Sequence, residues 1–114
     1  RMESPLSVWN QYQKSRDQGK ALMPNLIEAM DKLRGETYKE GVLSTKIKRL
    51  IALAVGLRAG CETCVVGQTM MALEAGATKE EIFETINVAT TMGGTPALSE
   101  SYKVLRLLEE LGKL

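Results

Sequence analysis

Histidine is absent from the whole chain of 114 residues. That one absence removes the Ser-His-Asp and Cys-His couples, the imidazole general base and any His-ligated metal within one subunit. Proton transfer would fall to carboxylates, lysines, tyrosines, a thiol or water. Long hydrophobic runs are also missing. The longest near-apolar stretch, Leu50 to Leu57, is far too short to cross a bilayer, and no secretory leader is recognisable, so a cytoplasmic protein is the expectation. Neither sign of charge dominates: fifteen Lys and Arg stand against fourteen Asp and Glu, for a net charge of +1. With no basic cluster beyond a couple of residues, nucleic acid and anionic membrane are not expected as partners. Aromatic residues are few (one Trp, three Tyr and one Phe), and cysteine occurs only twice.

What remains is ordinary globular material, and its organisation is helical. Charged residues make up 25% and hydrophobic ones 44%, which argues for one folded domain over residues 1–114 and against disorder. Low-complexity tracts and repeats are absent. Arg1-Met2 reads as a remnant ahead of a natural Met start. Residues 1–20 read as an N-terminal arm with a short helix, opened by Ser4-Pro5 and ending in the polar stretch before Gly19. Trp9 and Tyr12 would anchor it to the bundle or to another subunit. A second helix begins near Met23 or Pro24, with Met23, Leu26, Ile27, Met30 and Leu33 at helical spacing and Gly35 as its stop.

The motif-bearing core spans residues 44–111. Ser44 caps a third helix that buries Ile47, Leu50, Ile51, Ala54 and Leu57. The fourth runs from about Cys61 to Glu74 and is apolar on several sides through Val65, Val66, Met70, Met71 and Leu73, so it is buried in the domain or between subunits. Gly76 stops it, and Thr78-Lys79-Glu80-Glu81 forms a capping box for the fifth, with Ile82, Ile86 and Ala89 inward. Thr95-Pro96 caps a sixth with the stripe Leu98, Tyr102, Leu105 and Leu108. Strand signals are almost absent, so the class is an all-α bundle of about six helices. A small core with apolar side chains on more than one helix face implies assembly with further copies.

The chemistry concentrates at Cys61-Glu62-Thr63-Cys64. Both sulfurs fall in the first turn of the fourth helix, where unsatisfied N–H groups and the positive end of the dipole favour a thiolate. Two cysteines three apart on one turn can also close a disulfide without large backbone movement. Redox-active dithiol, inert relic and metal site stay open from spacing alone. A metal would have to sit between subunits, since zinc wants four ligands and one chain offers two thiolates. Glu62 is either a solvated first-turn carboxylate or a substitute base. Met23, Met30, Met70, Met71 and Met92 are adaptable packing, and Gly93-Gly94 with Pro96 is a plain turn.

Three blocks carry a family resemblance: L-S-T-K-I-K-R-L-I-A-L-A-V-G-L-R-A-G-C-E-T-C from Leu43 to Cys64, A-G-A-T-K-E-E-I from Ala75 to Ile82, and M-G-G-T-P-A-L from Met92 to Leu98. In these the chain resembles the carboxymuconolactone decarboxylase superfamily, and within it the alkylhydroperoxidase D-like branch. The resemblance implies a homo-oligomer of helical bundles, a hexamer in preference to a trimer. It implies a thiol-dependent oxidoreductase of peroxiredoxin type, with a small hydroperoxide or a dithiol/disulfide partner as substrate and no cofactor or resident metal. Cys64 would be the peroxidatic residue and Cys61 the resolving one. The redox members carry a His four residues after the second cysteine and a Glu twelve before the first, and here those positions hold Gln68 and Arg49. Gln68 can hydrogen-bond a sulfur one turn away but cannot act as a base. Arg49 could stabilise the thiolate by charge or sit in a partly buried ion pair. The rival expectations are a lactone decarboxylase, which the resemblance ties to histidine and not to a cysteine pair, and a non-catalytic oligomeric binding protein.

Overall fold

The computed structural model describes residues 3–114, so the reading of Arg1-Met2 lies outside the described residues. Six α-helices follow in order: α1 Pro5–Leu22, α2 Pro24–Tyr38, α3 Thr45–Ala59, α4 Glu62–Glu74, α5 Lys79–Gly93 and α6 Thr95–Glu110. No strand occurs among the described residues, so the all-α expectation holds.

α3 is the hub, packing on α4, α5 and α6. Its Leu53 and Leu57 meet Val65 of α4, Ile82 of α5, and Val104 and Leu108 of α6 in one buried cluster. Each such side chain contributes on the order of 1.5–3 kcal/mol by leaving water. Side-chain oxygens cap α1, α3 and α5, whereas α2 and α6 start without a side-chain cap: Thr95, expected to cap α6, is its first helical residue and Gly94 takes the cap position. Ser44 accepts from the Ile47 N–H, and the capping box forms in full, with Thr78 accepting from the Glu81 N–H and Glu81 from the Thr78 N–H. Lys46 of α3 reaches Glu81 at 2.9 Å, tying the start of α3 to the start of α5. The bond from the Thr78 backbone, then that from Lys46, holds the Glu81 carboxyl below its ordinary pKa.

Several expectations need correction. α1 is not short: it runs through Gly19 to Leu22, and Met23 closes it by donating to the Gly19 carbonyl. Gly19 is buried where α2 crosses, so its missing side chain serves packing and not termination. α2 likewise passes Gly35 and ends at Tyr38. On α3 the inner face is rotated by a step: Leu53 is fully buried, whereas Ile47 and Ile51 are exposed. On α6 the inward residues are Ala97, Ser101, Val104, Leu107 and Leu108, while Leu98 and Tyr102 lie outside and Leu105 is half-buried. In both helices two apolar stripes compete, and a single chain can bury only one of them.

α1 lies along the bundle with its start tied to the end of α6. The Ser4 hydroxyl bonds the Glu110 carboxylate, whose other oxygen accepts from the Leu6 N–H at 3.2 Å. α2 is held more loosely, by α1 and a little of α3, and buries none of its residues. An Arg16–Asp31 ion pair clips it to α1. The space between this α1–α2 hairpin and the α3–α4 pair is where the site lies.

Candidate dithiol site

The corner between α3 and α4 sets the two cysteines. Gly60 ends α3 in the left-handed conformation at φ 70°, which costs glycine nothing and most other residues a good deal. The chain then turns back at once. Cys61 takes the N-cap position of α4, and its sulfur accepts from the Cys64 N–H at 3.3 Å. Glu62 and Thr63 fill the first two helical positions, so Cys64 arrives third, one turn from Cys61. Their Cα atoms stand 5.2 Å apart and the sulfurs are joined in a disulfide. Gly56 makes room for this: a Cβ there would lie 3.1 Å from the Cys64 Cβ. Cys64 is exposed and Cys61 half-buried, so the pair stands at the surface of the helix mouth and not in the dry core.

Arg49 and Gln68 meet beside it. Gln68 follows Cys64 by one turn of α4, and its side-chain carbonyl accepts from an Arg49 Nη at 3.2 Å. The guanidinium carbon stands 3.5 Å from the centre of the Tyr38 ring, stacked over it as a cation–π contact. Arg49 makes no ion pair among the described residues, so the salt bridge weighed as its alternative role is not there. Glu62 is not simply solvated. It reaches Lys103 of α6 at 3.3 Å, and Lys103 also bonds Glu100. Partial burial works against that ammonium, but the hydrogen bond and charge of Glu100, then those of Glu62, outweigh it and hold its pKa above the ordinary lysine value.

A cleft of about 820 Å³ opens against these residues, with Cys64, Gln68 and Arg49 in its wall. Trp9 and Tyr12 of α1 line it, their rings stacked at 5.8 Å, and Tyr38 lines it from the end of α2. Trp9 lies so close over Gly67 that a Cβ there would fall 2.9 Å from the ring. A second cavity of about 500 Å³ shares Tyr38, Cys64 and Gln68 and is otherwise mostly apolar, lined by Ile51, Ala52 and Val55 together with Thr37 and Lys48. The cysteine pair was legible as a candidate from its spacing, and Arg49 and Gln68 only through the family resemblance. The aromatic wall was not: Trp9 and Tyr12 read as packing anchors, and nothing local marks Tyr38. Among the described residues, no group of three or more His, Cys, Asp or Glu could hold a metal ion.

A Cys-x-x-C pair at a helix mouth, opening on a cleft of a six-helix domain, is compatible with a redox role. The chain belongs to the carboxymuconolactone decarboxylase family, whose sequence pattern matches residues 24–107. It is 31% identical over 88 residues to an uncharacterised protein of Cupriavidus necator, covering 77% of this chain and 78% of that one. An uncharacterised protein encoded in the cox locus of Paracoccus denitrificans is 36% identical over 74 residues, covering 65% and 67%. The fold superposes on a carboxymuconolactone decarboxylase family protein of Legionella pneumophila with a TM-score of 0.90 at 28% identity, over 98% of this chain and all of that one. A Thermotoga maritima family member, for which a part in an antioxidative response has been suggested, matches with a TM-score of 0.69 at 28% identity, over 75% and 88%.

Proposed function

We propose that this protein is a thiol-dependent oxidoreductase that reduces organic hydroperoxides, with Cys64 as the attacking thiolate and Cys61 as the resolving thiol. The observation that carries the reading is the position of Cys64: third residue of α4, exposed, lining a cleft, and within bonding distance of a second sulfur. Free N–H groups and the helix dipole favour a negative sulfur there. Arg49, on the same cleft and uncompensated by a carboxylate among the described residues, adds positive charge where the family's redox members carry a carboxylate. The thiolate is then formed by electrostatics with its proton lost to water, and no dedicated base is required. Gln68 holds the guanidinium in place through its carbonyl.

The sulfur attacks the terminal peroxide oxygen, the O–O bond breaks, and the alkoxide takes a proton from water to leave as the alcohol. Cys64 is left as the sulfenic acid. The Cys61 sulfur attacks that sulfur, the S–O bond breaks, and hydroxide departs with the Cys61 proton as water. One hydroperoxide and one dithiol become one alcohol, one water and the disulfide, which an external dithiol reduces by two electrons. A cytoplasmic setting, where such reductants are held, goes with this reading. So does a homo-oligomer, a hexamer in preference to a trimer, which the exposed apolar stripes of α2 and α3 support.

The test is stopped-flow consumption of thiols in the reduced protein by stoichiometric cumene hydroperoxide. Both thiols should vanish much faster than those of free glutathione and return with dithiothreitol. Cys64→Ser should abolish the reaction, whereas Cys61→Ser should stop at a sulfenic acid that dimedone traps. Arg49→Ala should raise the Cys64 pKa read by pH-dependent alkylation. Consumption no faster than glutathione's would end the proposal.

A further inference from the structure

α2 buries none of its residues, yet its final residue, Tyr38, is fastened to α3 at two points. The Thr45 hydroxyl donates to the Tyr38 carbonyl at 2.6 Å, satisfying one of the oxygens left over at a helix end. One turn further along α3, the Arg49 guanidinium carbon lies 3.5 Å over the centre of the Tyr38 ring. Thr45 and Arg49 are four apart and share a face of that helix, so the backbone and the ring of one residue are gripped by one stripe. Beside this joint, the Lys48 ammonium donates to the Lys39 carbonyl at 2.7 Å.

We propose that Tyr38 is a positioning residue: its ring seats the Arg49 guanidinium on the wall it shares with Cys64, so that the docking of α2 on α3 governs how readily the Cys64 thiolate forms. This rests on the activation of Cys64 by charge proposed above, and adds to it the residue that keeps the charge in place. Arginine has many rotamers, and one bond to a neutral amide does not confine it. Here the Gln68 carbonyl fixes one edge of the guanidinium, and the flat face of Tyr38 fixes its plane. Tyr38, Gln68 and Cys64 each line both the large cleft and the smaller cavity, so ring, amide and sulfur stand where the two spaces adjoin. A guanidinium released from the ring would swing into open water, where its field is screened.

The other charges around Cys64 do not replace it. In the large cleft Arg16 is paired with Asp31, and Lys39 with Glu36. Arg34 and Asp17 line the same cleft with opposite charge, each without an ion pair among the described residues. Lys48, in the smaller cavity, is engaged by a carbonyl, and on α4 itself Glu62 is drawn to Lys103. The other titratable groups there are the Tyr12 and Tyr38 phenols. Arg49 alone is bonded to the residue that follows Cys64 by one helical turn.

The experiment reads Cys64 by pH-dependent alkylation of the reduced full-length protein in a Cys61→Ser background. Tyr38→Leu keeps an apolar side chain without a ring, and should raise the alkylation midpoint by about 0.5, or about threefold in thiolate at neutral pH. Tyr38→Phe, which keeps the face, should restore the parent midpoint. In an Arg49→Ala background Tyr38→Leu should have no further effect, because the ring acts only through the guanidinium. A Tyr38→Leu midpoint equal to the parent's, a Phe variant as shifted as the Leu variant, or a shift that persists without Arg49 would each overturn the role. An Arg49→Ala midpoint equal to the parent's would remove the charge and its seat together. Thiol consumption by cumene hydroperoxide is then followed in the same Tyr38 variants with Cys61 intact. The expected midpoints with consumption no faster than glutathione's would sink the peroxidase reading and leave Tyr38 in its role. Fast consumption with unshifted midpoints would do the reverse.

Discussion

At the scale of single residues, glycine is where this structure leaves no slack. Gly67 carries Trp9 against its Cα, and an added methyl would stand 2.9 Å from the indole. The contact is with a large stiff ring, so relief requires α1 to move. Gly67→Ala should cost about 1–3 kcal/mol in chemical denaturation, by overpacking, and should shift the Trp9 emission as the ring is displaced. Arg49 shows the opposite kind of constraint. Its bond to Gln68 and its seat on Tyr38 fix a long side chain without any carboxylate, which leaves its charge to act on the cleft.

Among the elements, α3 and α5 are joined at their starts by one residue doing two jobs. Glu81 closes the capping box of α5 and accepts from Lys46 of α3. Because its carboxyl is held below the ordinary glutamate value of 4.5, its contribution is present above that value. The contribution is lost as pH falls and the folded protein takes up the proton. The melting temperature of the parent should therefore exceed that of Glu81→Gln at neutral pH, and the gap should close under acid titration below about pH 4. A gap unchanged by acid would mean that the helix cap needs only an acceptor and not a charge. Lys103 has the opposite sign. Its pKa is raised, so the Glu62–Lys103–Glu100 tie between α4 and α6 persists through neutral pH and weakens only above the ordinary lysine value of 10.5.

For the molecule as a whole, the question is what covers its second set of apolar faces. α2 buries nothing within the chain, and Leu26 and Leu33 of α2 lie exposed, as do Ile51 and Val55 of α3. The two helices flank the smaller, mostly apolar cavity behind Cys64. Patches of this kind are unusual on a lone soluble chain. Light scattering on the eluted protein should give a mass several times that of one chain. Val55→Asp should lower that mass while leaving helical circular dichroism unchanged, and a monomeric parent would refute the assembly.

The helices, their caps and the cysteine pair were written in local sequence, because each depends on residues within a turn or two of one another. Ser44, Thr78 with Glu81, and Gly60 specify helix ends through bonds spanning three to five positions, and Cys61 and Cys64 meet by virtue of one helical turn. The length of α1, the rotated inner faces of α3 and α6, the union of Glu62 with Lys103, and the gathering of Trp9, Tyr12 and Tyr38 before Cys64 were settled only by packing. A helix with two apolar stripes does not say which one faces home, and rings far apart in sequence do not say that they will share a wall. Burial is decided by all the helices at once, whereas a cap is decided by its neighbours.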